Sequence, residues 1–321
     1  MAGSFEEFKA LFERPEVTEG QLQAFMEQNT EVIPTPLLLG HDLQWNCVIS
    51  QFEIDRANIA DFAYVTKNSG QWRFVFVELE RPQKRLFVDE PHVDFHRDTR
   101  QAIAQIEGWR SFAERNQETI VKRLAPLMQP REFWDNPIEI QYVLVIGRKP
   151  ERTFPTPEHS GRVKRLAQDS RIHLCTYDSI LRMGRSQGIG ARKNVLSHWK
   201  SSYAIKVAQA DTNIFGWYDD GQISIADEQA AWFKARGYDM DAWRKGERLV
   251  VNHKLPDSRM GEVFDEIIRD REEAAAKKAA GTPPPHVPEE PANPVAAKVK
   301  LNEIPTGDGK QPAPKRKRAA K

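Results

Sequence analysis

The chain has 321 residues, of which 40% are hydrophobic and 29% charged, and its formal net charge is +1. These values are typical of a soluble globular protein with about two domains. No apolar run approaches the roughly 18 residues of a membrane span, so we expect no membrane partner. From residue 281 onward, eight basic residues accompany four acids, so the tail carries +4 and the body −3. Because the body is not basic, nucleic-acid binding would require a local patch.

The N-terminus and the cysteines indicate the compartment. The first residues contain no basic segment followed by an apolar stretch, which argues against a secretory signal. Cys47 and Cys175 lie far apart in apolar runs, without Cys or His at metal-ligand spacing. We interpret both as small core residues in a reducing compartment and predict a cytoplasmic protein.

The order of the predicted elements favours an α/β fold with a mixed central sheet flanked by helices. Two amphipathic helices come first, and the second begins with a capping box of Thr18 and Gln21. Three strands follow, and their short, turn-rich connections predict antiparallel neighbours. The remaining elements of this region alternate between helices and strands. The three strands are Asn46–Ile54, Ile59–Val65 and Trp72–Glu80; the later elements are a helix from Arg97 to about Leu124, a strand at Gln141–Gly147, a helix at Ser160–Asp169, a strand at Ile172–Tyr177 and a helix at Asp178–Met183.

After Gly184 the pattern changes. Glycines and basic residues up to Lys193 predict a flexible connection, and a smaller α+β unit follows. Within that unit we expect a hairpin turn at Asp219–Gly221 and a strand at Arg248–Asn252. The predicted organisation is N-terminal helices at 1–40, a core at 41–185, a C-terminal unit of unassigned role at 195–280, and a disordered Pro-rich basic tail at 281–321.

Two acids end a strand that has the pattern of a buried one. Glu78 and Glu80 alternate with apolar residues in Trp72–Glu80, so they share a strand face. Asp61 is a third lone acid on the preceding strand. Burial of unpaired carboxylates costs several kcal/mol each, and a bound metal ion is a common reason for such burial. The alternative is a set of strand-edge acids paired with Arg or Lys.

This arrangement suits metal-dependent phosphodiester chemistry. Asp61 and Glu78 would hold Mg²⁺ or Mn²⁺, and a group at position 80 would orient or activate water. The helix from Arg97 places Gln105 on one side, where it would support the site. Arg97 and Arg100 lie at the helix start, where they could meet phosphate.

Several separate stretches resemble the PD-(D/E)XK nuclease superfamily, and most closely the Shedu-type defence proteins. Together they span about residues 18 to 183. They are Leu22–Asn29, Ile59–Phe62, Val77–Pro82, Gln105–Trp109, Lys164–Leu166 and Thr176–Leu181. The resemblance implies a restriction-endonuclease-like core.

The sequence departs from the family pattern at one position. The usual lysine of the Glu-Leu-Lys-x-Pro motif is Glu80 here. A carboxylate cannot stabilise a developing phosphorane charge, but it can act as a general base or bind a second metal. Lys84, Arg97 or Arg100 could supply the missing cation. Glu27 on the opening helix is a further acid that could join the site.

The resemblance therefore implies a Mg²⁺-dependent deoxyribonuclease, an endonuclease rather than an exonuclease, acting on phage or plasmid DNA in prokaryotic defence. It also favours a homo-oligomer. The alternative is a degenerate nuclease fold that binds nucleic acid or a partner without cutting it.

Overall fold

An eight-stranded mixed sheet organises the computed structural model of the protein. The structure describes residues 2–89, 93–148, 156–187, 192–199 and 202–279. The strands are β1 (Leu43–Glu53), β2 (Ile59–Lys67), β3 (Trp72–Leu79), β4 (Ile138–Val145), β5 (Ile172–Cys175), β6 (Asn194–Trp199), β7 (Ser202–Val207) and β8 (Ile223–Ser224). Their order across the sheet is β5-β4-β3-β2-β1-β6-β7-β8. The first three strands are antiparallel neighbours, as predicted, and β4 and β5 add in parallel.

Helices cover both faces of this sheet. They are α1 (Ala2–Phe12), α2 (Glu19–Gln28), α3 (Arg97–Arg115), α4 (Gln117–Leu124), α5 (Pro157–Asp169), α6 (Tyr177–Gln187), α7 (Asp227–Lys234) and α8 (Met240–Arg244); α9 (Met260–Ala279) follows them in the chain. The predicted capping box at the start of α2 is confirmed, because Thr18 and Gln21 bond to each other's backbone N–H groups. The single helix predicted from Arg97 to Leu124 is interrupted at Asn116, which separates α3 from α4.

Alternation along β2 and β3 divides the core into two layers. Phe74 and Phe76 point to the layer that contains Trp109 of α3. Val75 and Val77 point to the other layer, which contains residues of α1, α2 and α6. Burial on both faces explains why these strands are almost continuously apolar. The structure confirms the α/β class with a mixed sheet between helices.

The C-terminal part of the chain continues the same sheet. The sequence predicts a separate unit from residue 195, but β6 pairs in parallel with β1 and β7 pairs with β6. The unpaired edge of β1 would otherwise expose backbone hydrogen-bonding groups. The chain divides into two compact units, Met1–Phe264 and Asp265–Lys321, and the sheet lies in the first. The described part of the second is the helical segment of α9 from Asp265.

Two predictions in this region are wrong. The turn at Asp219–Gly221 forms, but β8 after it pairs in parallel with β7 instead of forming a hairpin. The residues before the turn form a 3₁₀ helix at Ile214–Gly216, because Phe215 is buried against aromatic rings there. The strand predicted at Arg248–Asn252 is reduced to an isolated bridge between Val251 and Leu255.

Two further predictions concern segments without a full description. The tail at 281–321 lies outside the described residues, and the connection at 184–193 lies partly outside them. Among the described residues, no helix is both long and apolar enough to cross a membrane.

Candidate functional site

Asp61 and Glu78 meet at one end of the sheet. The antiparallel ladder between β2 and β3 pairs Phe62 with Val77. The next positions in this register are Asp61 and Glu78, so the two acids start from directly opposed places on neighbouring strands. The structure thus brings together the two residues that we predict to hold a metal ion.

Asp61 is half-buried and fixed by two donors. The backbone N–H of Leu79 donates to its Oδ2 at 2.8 Å, and the Gln51 amide donates to its Oδ1 at 3.3 Å. Burial raises the pKa of Asp61 to about 6, and the acids Glu19 and Glu80 add to this effect, whereas the two donors oppose it. Strand pairing and these two donors therefore hold the Asp61 carboxyl in one position at the end of the sheet.

Glu78 is buried, with 9% of the residue exposed. The Gln105 amide of α3 donates to its Oε1 at 2.6 Å, which is the supporting contact that we predict for Gln105. Burial raises the pKa of Glu78 to about 9, and repulsion by Asp61 and Glu80 contributes. The donor from Gln105 opposes the shift without overcoming it.

Glu80 follows the last residue of β3, and its charge is met by Lys84. The Lys84 ammonium forms an ion pair with the Glu80 carboxylate and lies 3.4 Å from Glu19 Oε1. Burial raises the pKa of Glu80, and Lys84 opposes that rise. The backbone carbonyl of Glu80 accepts from the Tyr177 hydroxyl at 2.7 Å. One lysine therefore faces a group of four acids with Glu80 and Glu19 as its direct partners.

A tight turn returns Lys84 to Glu80. Pro82 lies shortly after the end of β3, and the backbone N–H of Lys84 donates to the Arg81 carbonyl at 3.1 Å. Gly147 lies against this turn with φ of +67°, and a Cβ on it would lie 2.8 Å from the Lys84 carbonyl oxygen. The close approach needs a residue without a side chain at position 147.

The two arginines that we predict to contact DNA lie on the outer part of α3. Arg97 and Arg100 are both exposed. The Arg100 guanidinium lies 3.6 Å from an oxygen of Asp94, which also pairs with Arg162 at 3.2 Å. Neither arginine forms a contact with Asp61, Glu78 or Glu80 in the part of the chain that the structure describes.

Glu27 is engaged away from the carboxylates. It accepts from the Ser50 hydroxyl and lies 2.6 Å from the Lys206 ammonium of β7. Gln23 joins this group to the site, because its amide donates to the backbone carbonyl of Asp61 at 3.2 Å and to Ser50 at 3.4 Å. A polar path thus connects β7 to the strand that carries Asp61.

Sequence reasoning missed Glu19 as a member of this site. It follows Thr18 in the first turn of α2, where an acid is ordinary because it suits the helix dipole. Only the packing of α2 on the sheet brings it to Lys84. No local pattern distinguishes it from any other first-turn glutamate.

Asp61 and Glu78 offer ligand atoms of the kind that a hard cation prefers. Asp61 and Glu78 offer carboxylate oxygens, and Mg²⁺ is often held by one or two carboxylates together with water and substrate phosphates. Among the described residues, no three Asp, Glu, His or Cys side chains form a ready-made metal site. Asp61 and Glu78 alone would hold a cation as an open site, completed by water and a substrate phosphate.

Comparison with protein families connects this geometry to a known group. The family model of the C-terminal region of the Shedu protein SduA matches residues 16–181. The matched segment begins just before α2, includes β1 to β5 and contains every site residue named in the sequence. The search of curated proteins finds no match. Since the match covers more than half of the chain, the protein belongs to the Shedu family, and this membership indicates a role in anti-phage defence.

Proposed function

We propose that this protein is a divalent-metal-dependent nuclease that hydrolyses phosphodiester bonds in DNA, on a core of the PD-(D/E)XK, restriction-endonuclease-like type. The observation that carries the proposal is the direct opposition of Asp61 and Glu78 on β2 and β3. Glu80, Lys84 and Gln105 surround this pair with contacts that suit such chemistry.

The cost of ionising these clustered acids supports the proposal, because burial and mutual repulsion raise the pKa of Asp61 and Glu78. Asp61, Glu78, Glu80 and Glu19 influence one another electrostatically, and Lys84 is the cation in direct contact with this group. Buried carboxylates without partners cost several kcal/mol each. A divalent ion held by Asp61 and Glu78 would remove that cost. When bound, it would polarise the phosphodiester and lower the pKa of water.

The side chains and backbone groups around the proposed metal ligands have separate roles. Leu79 N–H and Gln105 hold the carboxylates of Asp61 and Glu78 in place. Glu80 would accept a proton from the attacking water as a general base. Lys84 supplies the ammonium that the family motif carries at position 80, and it would stabilise the charge that develops on the phosphate oxygens.

DNA would approach across the exposed start of α3. Arg97 and Arg100 are the basic residues there, and phosphate contacts by such side chains give affinity without sequence specificity. The body of the protein is not basic overall, so these local cations would have to supply the attraction. A homo-oligomeric assembly stays a prediction.

A plasmid-nicking assay tests this proposal. We expect the wild-type protein to convert supercoiled plasmid to nicked or linear DNA with Mg²⁺ or Mn²⁺, and not with excess chelator. Asp61→Asn and Glu78→Gln keep the hydrogen-bond acceptors for Leu79 and Gln105, so they remove charge with little structural change. Each should lower the cleavage rate by more than about 100-fold. Glu118→Gln removes an acid that is 92% exposed and should cleave normally.

The second candidate is a nuclease fold that binds DNA without cutting it. The observation in its favour is Glu80 in the place of the family lysine, together with an incomplete ligand set among the described residues. It predicts a gel shift with DNA but no metal-dependent cleavage by the wild-type protein. Cleavage that is unaffected by both Asp61→Asn and Glu78→Gln would contradict the choice of active site.

A further inference from the structure

A second cleft lies at the opposite end of β2 and β3 from the carboxylates. Its volume is about 540 Å³, which is within the usual range of small-molecule sites. It is lined by the start of β1, the end of β2 and two loops near the C-terminal part of the sheet. The lining residues that the argument uses are His41, Asn46, Lys67, Asp211 and Asn213.

Lys67 is the central group of this cleft. Only 7% of the residue is exposed, although it carries an ammonium. Its Nζ lies 3.1 Å from His41 Nδ1 and 4.1 Å from the centre of the Phe133 ring. Among the described residues no carboxylate lies within 4.0 Å of it, and Glu132 acts on it only at longer range.

This environment leaves the ammonium with unused capacity. Lysine has three N–H donors, and the imidazole of His41 occupies one. The face of Phe133 attracts the cation but offers no oxygen acceptor. Burial of a charge without an ionic partner is costly, so an anion from outside the chain would complete the site.

The backbone around the cleft is held in unusual conformations. Asp42, Trp45 and Asn46 near the start of β1 have φ between +51° and +56°, and Asn252 and His253 have φ of +49° and +60°. Residues without glycine's freedom seldom adopt these angles, and such positions cluster at ligand-binding sites. Trp45 packs on Trp217 with ring centres 4.3 Å apart, which fixes this wall.

We propose that this cleft binds a small phosphate monoester about the size of a nucleoside monophosphate, with the phosphate on Lys67. The Asn46 amide nitrogen donates to the Arg192 carbonyl, so Asn46 offers its oxygen as an acceptor, and the amide of Asn213 offers a donor and an acceptor for the organic part of the ligand. Asp211 adds a negative charge at the wall, which disfavours longer polyphosphates and suits a ligand hydroxyl or amino group. The site does not depend on the proposed nuclease activity.

Calorimetric titration of the full-length protein with AMP, in chelator and without divalent metal, tests the proposal. Adenosine and inorganic phosphate are the parallel probes. We expect AMP to bind, inorganic phosphate to bind more weakly, and adenosine not to bind. Chelator keeps the carboxylate end of the sheet from contributing, so the result is separate from that of the plasmid assay.

Two variants identify the site. Lys67→Met keeps the apolar stem and removes the charge, and it should weaken AMP at least about tenfold. Asn46→Asp keeps the side-chain size at an exposed lining position and gives up the hydrogen bond to the Arg192 carbonyl, so its melting temperature is measured first; its added carboxylate should repel the phosphate to a similar degree. Lys122→Met and Gln117→Glu make the same charge changes on exposed positions of α4 and should bind AMP as the wild type does.

Three results would overturn the proposal. One is the absence of AMP binding at millimolar concentration, and another is adenosine binding as tightly as AMP. The third is an AMP affinity that is unchanged in Asn46→Asp, and in Lys67→Met where that variant folds.

Discussion

The two ends of β2 and β3 contain buried ionisable side chains of opposite sign, and the residues around them differ. At one end Asp61, Glu78, Glu80 and Glu19 gather around Lys84. At the other end Lys67 is enclosed by Phe133 and His41 without a carboxylate within 4.0 Å among the described residues. At each end burial disfavours the ionised form of the side chains, and a ligand of the opposite charge would remove that cost. We therefore propose a cation as the ligand of the first end and an anion as the ligand of the second.

Outside the two proposed metal ligands, the largest expected effect is at Lys84. Lys84→Met should lower metal-dependent cleavage by about 10²- to 10³-fold, because a positioned cation stabilises charge in the transition state to that extent. Cleavage rates of plasmid DNA measure the loss.

Relocating the charge sharpens this prediction. Adding Glu80→Lys to Lys84→Met returns an ammonium to the position that the family motif uses but removes the proposed base, so activity should recover only in part, to a level above that of Lys84→Met alone. Lys122→Met is the matched control, since Lys122 is 80% exposed. Normal cleavage by Lys84→Met alone would show that Lys84 does not contribute to catalysis.

Binding of a metal ion at the acidic end should raise the free energy of unfolding of the protein. A ligand that binds only the folded state at 100 times its dissociation constant adds about 2.7 kcal/mol to the free energy of unfolding. We therefore expect Mn²⁺ to raise the melting temperature of the wild type, measured by calorimetry. Asp61→Asn should lose this response, while Glu118→Gln should keep it. An equal response in all three proteins would mean that the ion binds elsewhere.

A smaller effect is expected at Gln105. Its amide holds Glu78 Oε1 at 2.6 Å, and loss of a group that orients a metal ligand commonly costs 10- to 100-fold in affinity or activity. Gln105→Leu should raise the Mn²⁺ concentration required for half-maximal cleavage by about tenfold. Gln101→Leu, one turn earlier on α3 at an exposed position, is the control. A lower maximal rate with an unchanged metal requirement would assign Gln105 a role other than holding Glu78.

The smallest expected effect is a pH dependence of the free energy of unfolding, caused by Lys67 at the other end of β2 and β3. Burial lowers the pKa of Lys67 below its ordinary value of 10.5. The unfolded chain then binds more protons than the folded chain in the window just below pH 10.5, so the free energy of unfolding rises with pH there. Lys67→Met should lack this rise when chemical unfolding is followed from pH 7 to 10.5 without ligand. Saturating AMP should also reduce it in the wild type, and parallel curves for the two proteins would contradict the view that Lys67 is an uncompensated cation.

Part of the site follows from sequence pattern alone. Apolar runs joined by short turns predict β1 to β3 as antiparallel neighbours, and this pairing brings Asp61 and Glu78 to the same end of the sheet. The contact of Gln105 with Glu78 follows from the order of the motifs. Lys84 was one of several candidates for the missing cation, and the chain alone could not select it, because the choice depends on a turn that packs against Gly147.

The amino-acid sequence by itself determined the alternation of strands and helices, the family, and the acids at the strand ends, because each of these is written in short local patterns. The tertiary structure decided that β6 to β8 continue the sheet, that Glu19 joins Lys84, and that Lys67 lies in a cleft without a carboxylate partner. Those features join residues far apart in the chain. Contacts of that kind depend on how the helices and loops pack on the sheet, so the local spacing of residues does not predict them.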